Sequence, residues 1–275
     1  MNIDAHQHFW QYNQQDYGWI GPEAKVLQRD FLPADLELAM ASVGIHGAVS
    51  VQARQSLVET HWLLDLATRH TCIRGVVGWL PLTAPDAQAH ITAAAANPKL
   101  KALRHVLQDE ADDHYILRED FNRGIRLLAP HHLAYDLLIF ERHLPQTIKF
   151  VDQHPHQIFV VDHLAKPRVK QQLIEPWRKL ITQLATRANV YCKISGIMTE
   201  ADHQHWTSAD LQPYLQTALQ AFGPRRLMFG SDWPVCLLAG SYLRWHQTVA
   251  EFIAPLAPAE QNRIMGDTAI EAYRL

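Results

Sequence analysis

The feature that most constrains the fold of this chain is a regular alternation of apolar, β-branched segments with amphipathic ones. Eight apolar segments predict β-strands, at residues 3–9, 47–53, 73–82, 100–107, 132–140, 157–165, 189–197 and 226–233. The segments between and after them predict helices, at residues 33–40, 57–70, 85–97, 118–129, 144–153, 173–187, 207–222, 242–254 and 258–273. Several strands are nearly continuous hydrophobic runs, which indicates a parallel sheet buried on both faces.

This alternation predicts a single α/β domain over residues 1–275, built as a (β/α)8 barrel. A doubly wound open sheet is the competing architecture. It is disfavoured because no glycine-rich phosphate loop follows an early strand, and no two glycines stand at Gly-x-Gly spacing. No linker, low-complexity tract or internal repeat divides the chain.

Composition narrows the range of partners. A formal net charge of −3 gives no electrostatic reason to expect nucleic acid or an anionic membrane as a partner. The densest basic clusters, Arg225–Arg226 and Lys166–Arg168, are interpreted as solvated loops. The three cysteines lack disulfide or metal-finger spacing, and no signal peptide or membrane span is evident, so we expect a cytoplasmic protein. Pairing of two copies through the outer helices of the barrel stays open.

The barrel prediction makes the position of polar residues informative, because active sites of such barrels lie at the carboxyl ends of the strands. Asp4, His6 and His8 alternate along the first strand, so we expect them to project from one face. Asp232 ends the last strand, which adjoins the first in a closed barrel. Two imidazoles and a carboxylate there would suit a cation or a proton transfer, although a chance His-x-His is the alternative for a chain with 17 histidines.

Polar residues also end the other strands. They are Gln52, Arg54, Arg104, His105, Asp162, His163, Lys193 and Ser195. Lys193 is flanked by apolar residues, and burying an ammonium group under the outer helices is costly. We therefore expect its side chain to point into the barrel towards the mouth, with a solvated strand end as the alternative.

The chain resembles the amidohydrolase-related family in the content and order of its motifs. The matching segments are Asp4–Trp10, Arg104–Val106, Val161–His163, Lys193–Gly196 and Phe229–Pro234. Within that family it is most similar to the sugar-lactonase branch, the L-fuconolactonase and L-rhamnonolactonase type. The resemblance covers essentially the whole chain. It implies a distorted TIM barrel and a hydrolase of carbohydrate metabolism that opens the ring ester of a sugar lactone.

Carried over by position, the resemblance implies roles for individual residues. Asp232 would be the general acid and base, and His163 would help to polarise the lactone carbonyl. His6, His8 and Asp232 would be the metal ligands. Substrate contacts are predicted, with a plain structural role as the alternative for each, at Gln52, Trp79, Arg104, His105, Lys193 and Trp233.

The sequence departs from the wider superfamily at two ligand positions. The lysines near the fourth strand, Lys99 and Lys101, lie at its beginning rather than at its end, and the fifth strand has histidines only at its entrance. A binuclear site is therefore not predicted. We expect one divalent ion, with zinc as the first candidate, while a metal-free mechanism in which Asp232 alone activates water stays open.

Two other functions remain as alternatives. A metal-dependent decarboxylase of an aromatic or unsaturated acid would use the same barrel and the same first-strand histidines, although it needs a firmly held metal. A non-catalytic sugar or metal binder is the second alternative, and the joint presence of His6, His8, His163 and Asp232 speaks against it.

Overall fold

Eight parallel strands form one sheet in the order β1 to β8, and the computed structural model describes all 275 residues of the chain. The strands are Ile3–Gln7, Gly47–Val51, Ile73–Gly78, Leu100–His105, Ala134–Leu137, Phe159–Val161, Val190–Ile194 and Leu227–Phe229. Neighbouring strands are paired throughout, and the first and last meet through the residues that follow them. His8 N–H donates to the Trp233 carbonyl at 2.7 Å, and Asp232 N–H donates to the His6 carbonyl at 2.8 Å. The result is a distorted (β/α)8 barrel, as predicted.

Helices follow the strands and cover the outside of the sheet. Eight of them, α1 to α8, span Pro33–Ala41, Leu57–Arg69, Ala87–Ala95, Glu119–Arg126, Leu144–Asp152, Trp177–Ala185, Ser208–Phe222 and Tyr242–Ile253. The chain ends in α9 (Pro258–Asn262), a π-helical turn (Arg263–Asp267) and α10 (Thr268–Tyr273). No helix is both long and apolar enough to cross a membrane.

The strands are shorter than predicted, and mostly at their carboxyl ends. The segment predicted at 157–165 is a strand only over Phe159–Val161, and the segment at 189–197 only over Val190–Ile194. The apolar pattern continues past both strands because Leu164, Ala165 and Ile197 are buried in the turns that follow. Those turns therefore pack into the protein rather than extend into solvent, and they bring their polar residues to the mouth of the barrel.

Two apolar cores support the mouth. The larger one fills the layer between the strands and the outer helices. The smaller one lies inside the barrel, where small strand residues such as Ala5 and Ala102 meet Ala269, Ala272 and Tyr273 of α10. The C-terminal helix thus closes the end of the barrel that lies opposite the mouth.

Candidate active site

Three ligand atoms from the carboxyl ends of the first and last strands converge at the mouth. His6 Nε2 lies 3.2 Å from His8 Nε2 and 3.7 Å from Asp232 Oδ1, and His8 Nε2 lies 3.4 Å from the same carboxylate oxygen. All three residues are buried, with at most 5% exposure. The predicted convergence of this pair of histidines with Asp232 is present in the structure.

Asp4 does not join them. The pairing of β1 with β2 shifts register between Asp4 and Gln7, which interrupts the alternation expected for a regular strand. The Asp4 carboxylate instead accepts hydrogen bonds from Ser231 N–H at 2.8 Å and from the Tyr242 hydroxyl of α8 at 3.0 Å. The expectation that Asp4 shares a face with the histidines is therefore wrong, and Asp4 holds the β8 end against β1.

The donor set fits one divalent cation. Ligands about 2.0–2.1 Å from a tetrahedral ion stand about 3.3–3.4 Å apart, close to the observed spacings. His8 Nδ1 lies 2.8 Å from the Val51 carbonyl and must donate to it, which leaves the Nε2 lone pair free. His6 Nδ1 lies 3.2 Å from Asp162 Oδ1, so the same tautomer is available there.

The protonation states suit the same role. Burial lowers the pKa of His6 well below its usual value and that of His163 to about 4. Burial raises the pKa of the Asp232 carboxyl, but the neighbouring His163, His8 and His6 outweigh it and hold that pKa below its usual range. Near neutral pH His6 and His163 are therefore neutral imidazoles and Asp232 is a carboxylate, the forms that bind a cation.

His163 stands beside this cluster on an unusual backbone. His163, Leu164, Ala165 and Lys166 all have positive φ, at 52°, 53°, 58° and 48°. None is glycine, and left-handed helical geometry costs L-residues about 1–2 kcal/mol each. Strain of this kind concentrates at functional sites. Here it holds the His163 ring 4.4 Å from that of His6, with His163 Nδ1 2.9 Å from Ser195 Oγ.

Below the histidines lies a network of buried charges. Lys193 Nζ donates to Asp136 Oδ2 and lies 2.9 Å from Asp162 Oδ1 and 3.1 Å from His6 Nδ1. The Arg104 guanidinium lies 2.9 Å from the other Asp162 oxygen. Two cations thus balance two carboxylates inside the barrel, and the network fixes the orientation of His6. The sequence alone gives Asp136 and Asp162 no role, because their positively charged partners, Arg104 and Lys193, come from other strands of the barrel.

Replacing Lys193 with Met is expected to lower the free energy of unfolding by about 3–5 kcal/mol, because Asp136 and Asp162 would keep buried charges without their shared partner. Urea unfolding of the purified variant measures this. Lys149→Met, on the exposed side of α5, is the matched control and is expected to stay within about 0.5 kcal/mol of the unsubstituted protein. A Lys193→Met protein as stable as this control would contradict the network.

The cluster opens into a cavity of about 590 Å³. Its wall includes His8, His163, Asp232 and Arg104. The other lining residues lie outside the six predicted substrate contacts, and they are Trp19, Ala53, Arg54, Gln55, Val106, Gln108, Asp109, Glu110, Leu138, Lys166 and Val235. Trp19 lies in the first loop and is 47% exposed, the one aromatic among the exposed large apolar side chains. The prediction that Lys166 is a plain solvated residue needs correction, because its side chain is only 18% exposed and lines this cavity.

Of the six predicted substrate contacts, Arg104 lines the cavity and the other five do not. Lys193 and Gln52 are completely buried, the latter accepting from Arg104 at 3.1 Å. Trp233 packs against Phe31 with ring centroids 5.1 Å apart. Packing and ion pairing hold these three side chains inside the fold, away from the cavity wall.

Trp79 and His105 occupy the rim next to the cavity. Trp79 Nε1 donates to His105 Nδ1 at 3.3 Å, and His105 Nε2 lies 2.6 Å from Glu110 Oε1. His105 also stacks on Tyr115, with centroids 5.0 Å apart. Together these contacts place Glu110, rather than Trp79 or His105, on the cavity wall.

The chain is similar to known proteins over its whole length. The amidohydrolase family profile matches residues 3–275. An L-fucono-1,5-lactonase from Burkholderia multivorans is 41% identical, with 100% of this chain and 96% of the relative covered, and one from Burkholderia ambifaria is 39% identical over the same shares. The crystal structure of a Burkholderia multivorans amidohydrolase with bound zinc has a TM-score of 0.97 and 41% identity, covering 100% of this chain and 99% of that chain.

Proposed function

This chain belongs to the amidohydrolase family, and from that premise we propose that it hydrolyses the ring ester of a sugar lactone. The observation that carries the proposal is the convergence of His6, His8 and Asp232 beside a cavity large enough for one sugar ring, whose wall includes His8 and Asp232. The names of the relatives that are about 40% identical over the whole chain support the same reaction class.

Asp232 is the proton carrier in this proposal. Its pKa lies below the usual range, so Asp232 is ionised near neutral pH. We assign its carboxylate to accept a proton from the attacking water. After the carbonyl carbon–ring oxygen bond breaks, the same group returns a proton to the ring oxygen, which leaves as a hydroxyl. The balance is one lactone plus one water giving one hydroxy acid, which ionises and releases a proton into neutral solution.

His163 and Arg104 complete the polar floor. Both side chains are at least 96% buried at the edge of the cavity, where a hydrogen-bond donor is worth more than in water. We assign them to the carbonyl oxygen on which negative charge develops. Ser195, at hydrogen-bond distance from His163 Nδ1, keeps the imidazole turned towards this position.

His6, His8 and Asp232 would hold one divalent ion, which we propose to be zinc. When bound, such an ion lowers the pKa of a water molecule and polarises a carbonyl group. Lys193 and Asp162 are positioning residues for His6, because they lie against the ring nitrogen that faces away from the three-atom cluster. A barrel without the ion would rely on Asp232 alone to activate water.

The cavity wall favours a deoxy sugar. The wall combines apolar side chains, Trp19, Val106, Leu138 and Val235, with polar ones, Arg54, Gln108 and Glu110. A 6-deoxyhexonolactone presents a methyl group for the apolar side chains and ring hydroxyls for the polar ones. We propose this class of substrate, which includes the lactone named in the relatives.

The test compares L-fucono-1,5-lactone with its 6-hydroxy counterpart, L-galactono-1,5-lactone, by proton release at mildly alkaline pH. We expect the deoxy lactone to be favoured in kcat/KM by about tenfold or more, because the apolar wall leaves the additional hydroxyl unpaired. Equal rates would contradict the apolar assignment of the wall. Failure to open any lactone, with release of CO2 from an aromatic acid such as 2,6-dihydroxybenzoate, would establish the decarboxylase alternative instead.

A further inference from the structure

Lys166 lies at the mouth, and none of the roles above involves it. It ends the run of four left-handed residues that begins at His163, and its N–H donates to the His163 carbonyl at 2.8 Å. Residues three positions apart in one helical turn lie on the same side of it. His163 and Lys166 accordingly both reach the wall of the catalytic cavity.

The middle of the turn is anchored in the core. Leu164 and Ala165 are completely buried, and Trp177 Nε1 donates to the Leu164 carbonyl at 2.7 Å. The strained conformation is therefore fixed by packing from α6, and it presents two polar side chains to the cavity at once.

The ammonium group of Lys166 has no close hydrogen-bond or ion-pair partner in the protein. Its nearest carboxylate oxygen is Glu200 Oε1 at 3.8 Å, and its Nζ lies 5.4 Å from the centre of the Phe140 ring. This ammonium group donates no hydrogen bond within the protein, whereas the ammonium of Lys193 forms ion pairs with two carboxylates. Lys166 thus keeps its donors available at the junction of the catalytic cavity with a neighbouring one of about 950 Å³.

We propose that Lys166 binds the lactone carbonyl oxygen and the carboxylate into which hydrolysis converts it. This inference deepens the proposed function and rests on it. The ammonium supplies positive charge at the oxygen where negative charge accumulates. Its contact is stronger with the oxyanion and the product carboxylate than with the neutral lactone, which is the condition for acceleration rather than mere binding.

The test uses Lys166→Met, with Lys166→Arg to restore the charge and Lys170→Met as the matched control. Lys170 lies four residues further along, is exposed, and lines only the neighbouring cavity. We expect Lys166→Met to lower kcat on the preferred lactone by about 10²–10³-fold, the usual loss for one oxyanion donor. Lys166→Arg is expected to recover part of this loss, and Lys170→Met to match the unsubstituted protein.

A second readout is the affinity for the hydroxy-acid product, L-fuconate, measured by calorimetry. We expect Lys166→Met to weaken it at least tenfold without a change in the thermal unfolding midpoint. Retention of both turnover and product affinity by Lys166→Met would overturn the role of Lys166 and leave lactone hydrolysis intact. An unsubstituted protein that opens no lactone would overturn the proposed function. In that case, the proposed contact between Lys166 and the product carboxylate would be retained only if L-fuconate binding still depended on Lys166.

Discussion

Replacing Asp232 with Asn is expected to lower kcat/KM on the preferred lactone by about 10²–10⁴-fold, the usual contribution of a general acid–base group. The substitution keeps the shape of the side chain. Asn also accepts the left-handed backbone found at this position, where φ is 56°. The fold should therefore persist while the proton carrier and one anionic ligand are lost.

Asp65→Asn is the control for that experiment, because Asp65 lies on the exposed face of α2 and pairs only with Arg69 one turn away. Its activity is expected to remain within about twofold of the unsubstituted protein, since exposed pairs of this kind contribute little. The measurement compares initial rates of the two variants and the unsubstituted protein at equal protein concentration, and circular dichroism verifies that each is folded. An Asp232→Asn enzyme with a tenth or more of the original activity would contradict the assigned role.

The second large effect is expected at Gly196, which no reaction step uses. A Cβ atom added there would lie 2.6 Å from His163 Cγ and 3.1 Å from Asp232 Oδ2. Both side chains would have to move. Displacements of about 1 Å in a catalytic group can cost about 10²-fold in rate. We therefore expect Gly196→Ala to lower kcat/KM by about 10²-fold or more.

Gly44→Ala separates this steric effect from backbone strain. Gly44 also has positive φ, 71° against 60° at Gly196, but no atom lies within 4 Å of its added Cβ. Both variants are expected to lose about 1 kcal/mol of stability because alanine tolerates positive φ poorly. Only Gly196→Ala should lose activity. Equal activity losses, or none in either variant, would show that the close approach of Gly196 to His163 is unimportant.

The sequence predicts the barrel because the fold repeats one pattern eight times, so that errors at single boundaries do not change the topology. It also predicts the meeting of His6, His8 and Asp232, since strand ends of a closed barrel share one rim. The register in which neighbouring strands pair is harder to predict from the sequence. The shift after Asp4 depends on how β1 pairs with β2, and no residue type in Asp4–His8 marks it.

The remaining parts of the site depend on tertiary contacts. The left-handed turn at His163–Lys166 contains no glycine or asparagine, the residues that usually indicate positive φ. The sequence around Lys166 therefore predicts only a solvated basic loop. The depth of Lys193 follows from carboxylates on two other strands, Asp136 and Asp162. Trp19 becomes part of the cavity only through the folding of the first loop across the mouth. Each of these features joins residues that local patterns treat separately.

The most direct test of the proposed reaction is proton release from L-fucono-1,5-lactone by the purified protein, measured against spontaneous opening in the same weakly buffered solution. Lactone hydrolysis predicts a rate proportional to enzyme concentration and one proton released for each lactone consumed, with L-fuconate as the sole product. A rate that does not rise above the spontaneous one at any enzyme concentration, for this or any other aldonolactone, would contradict it.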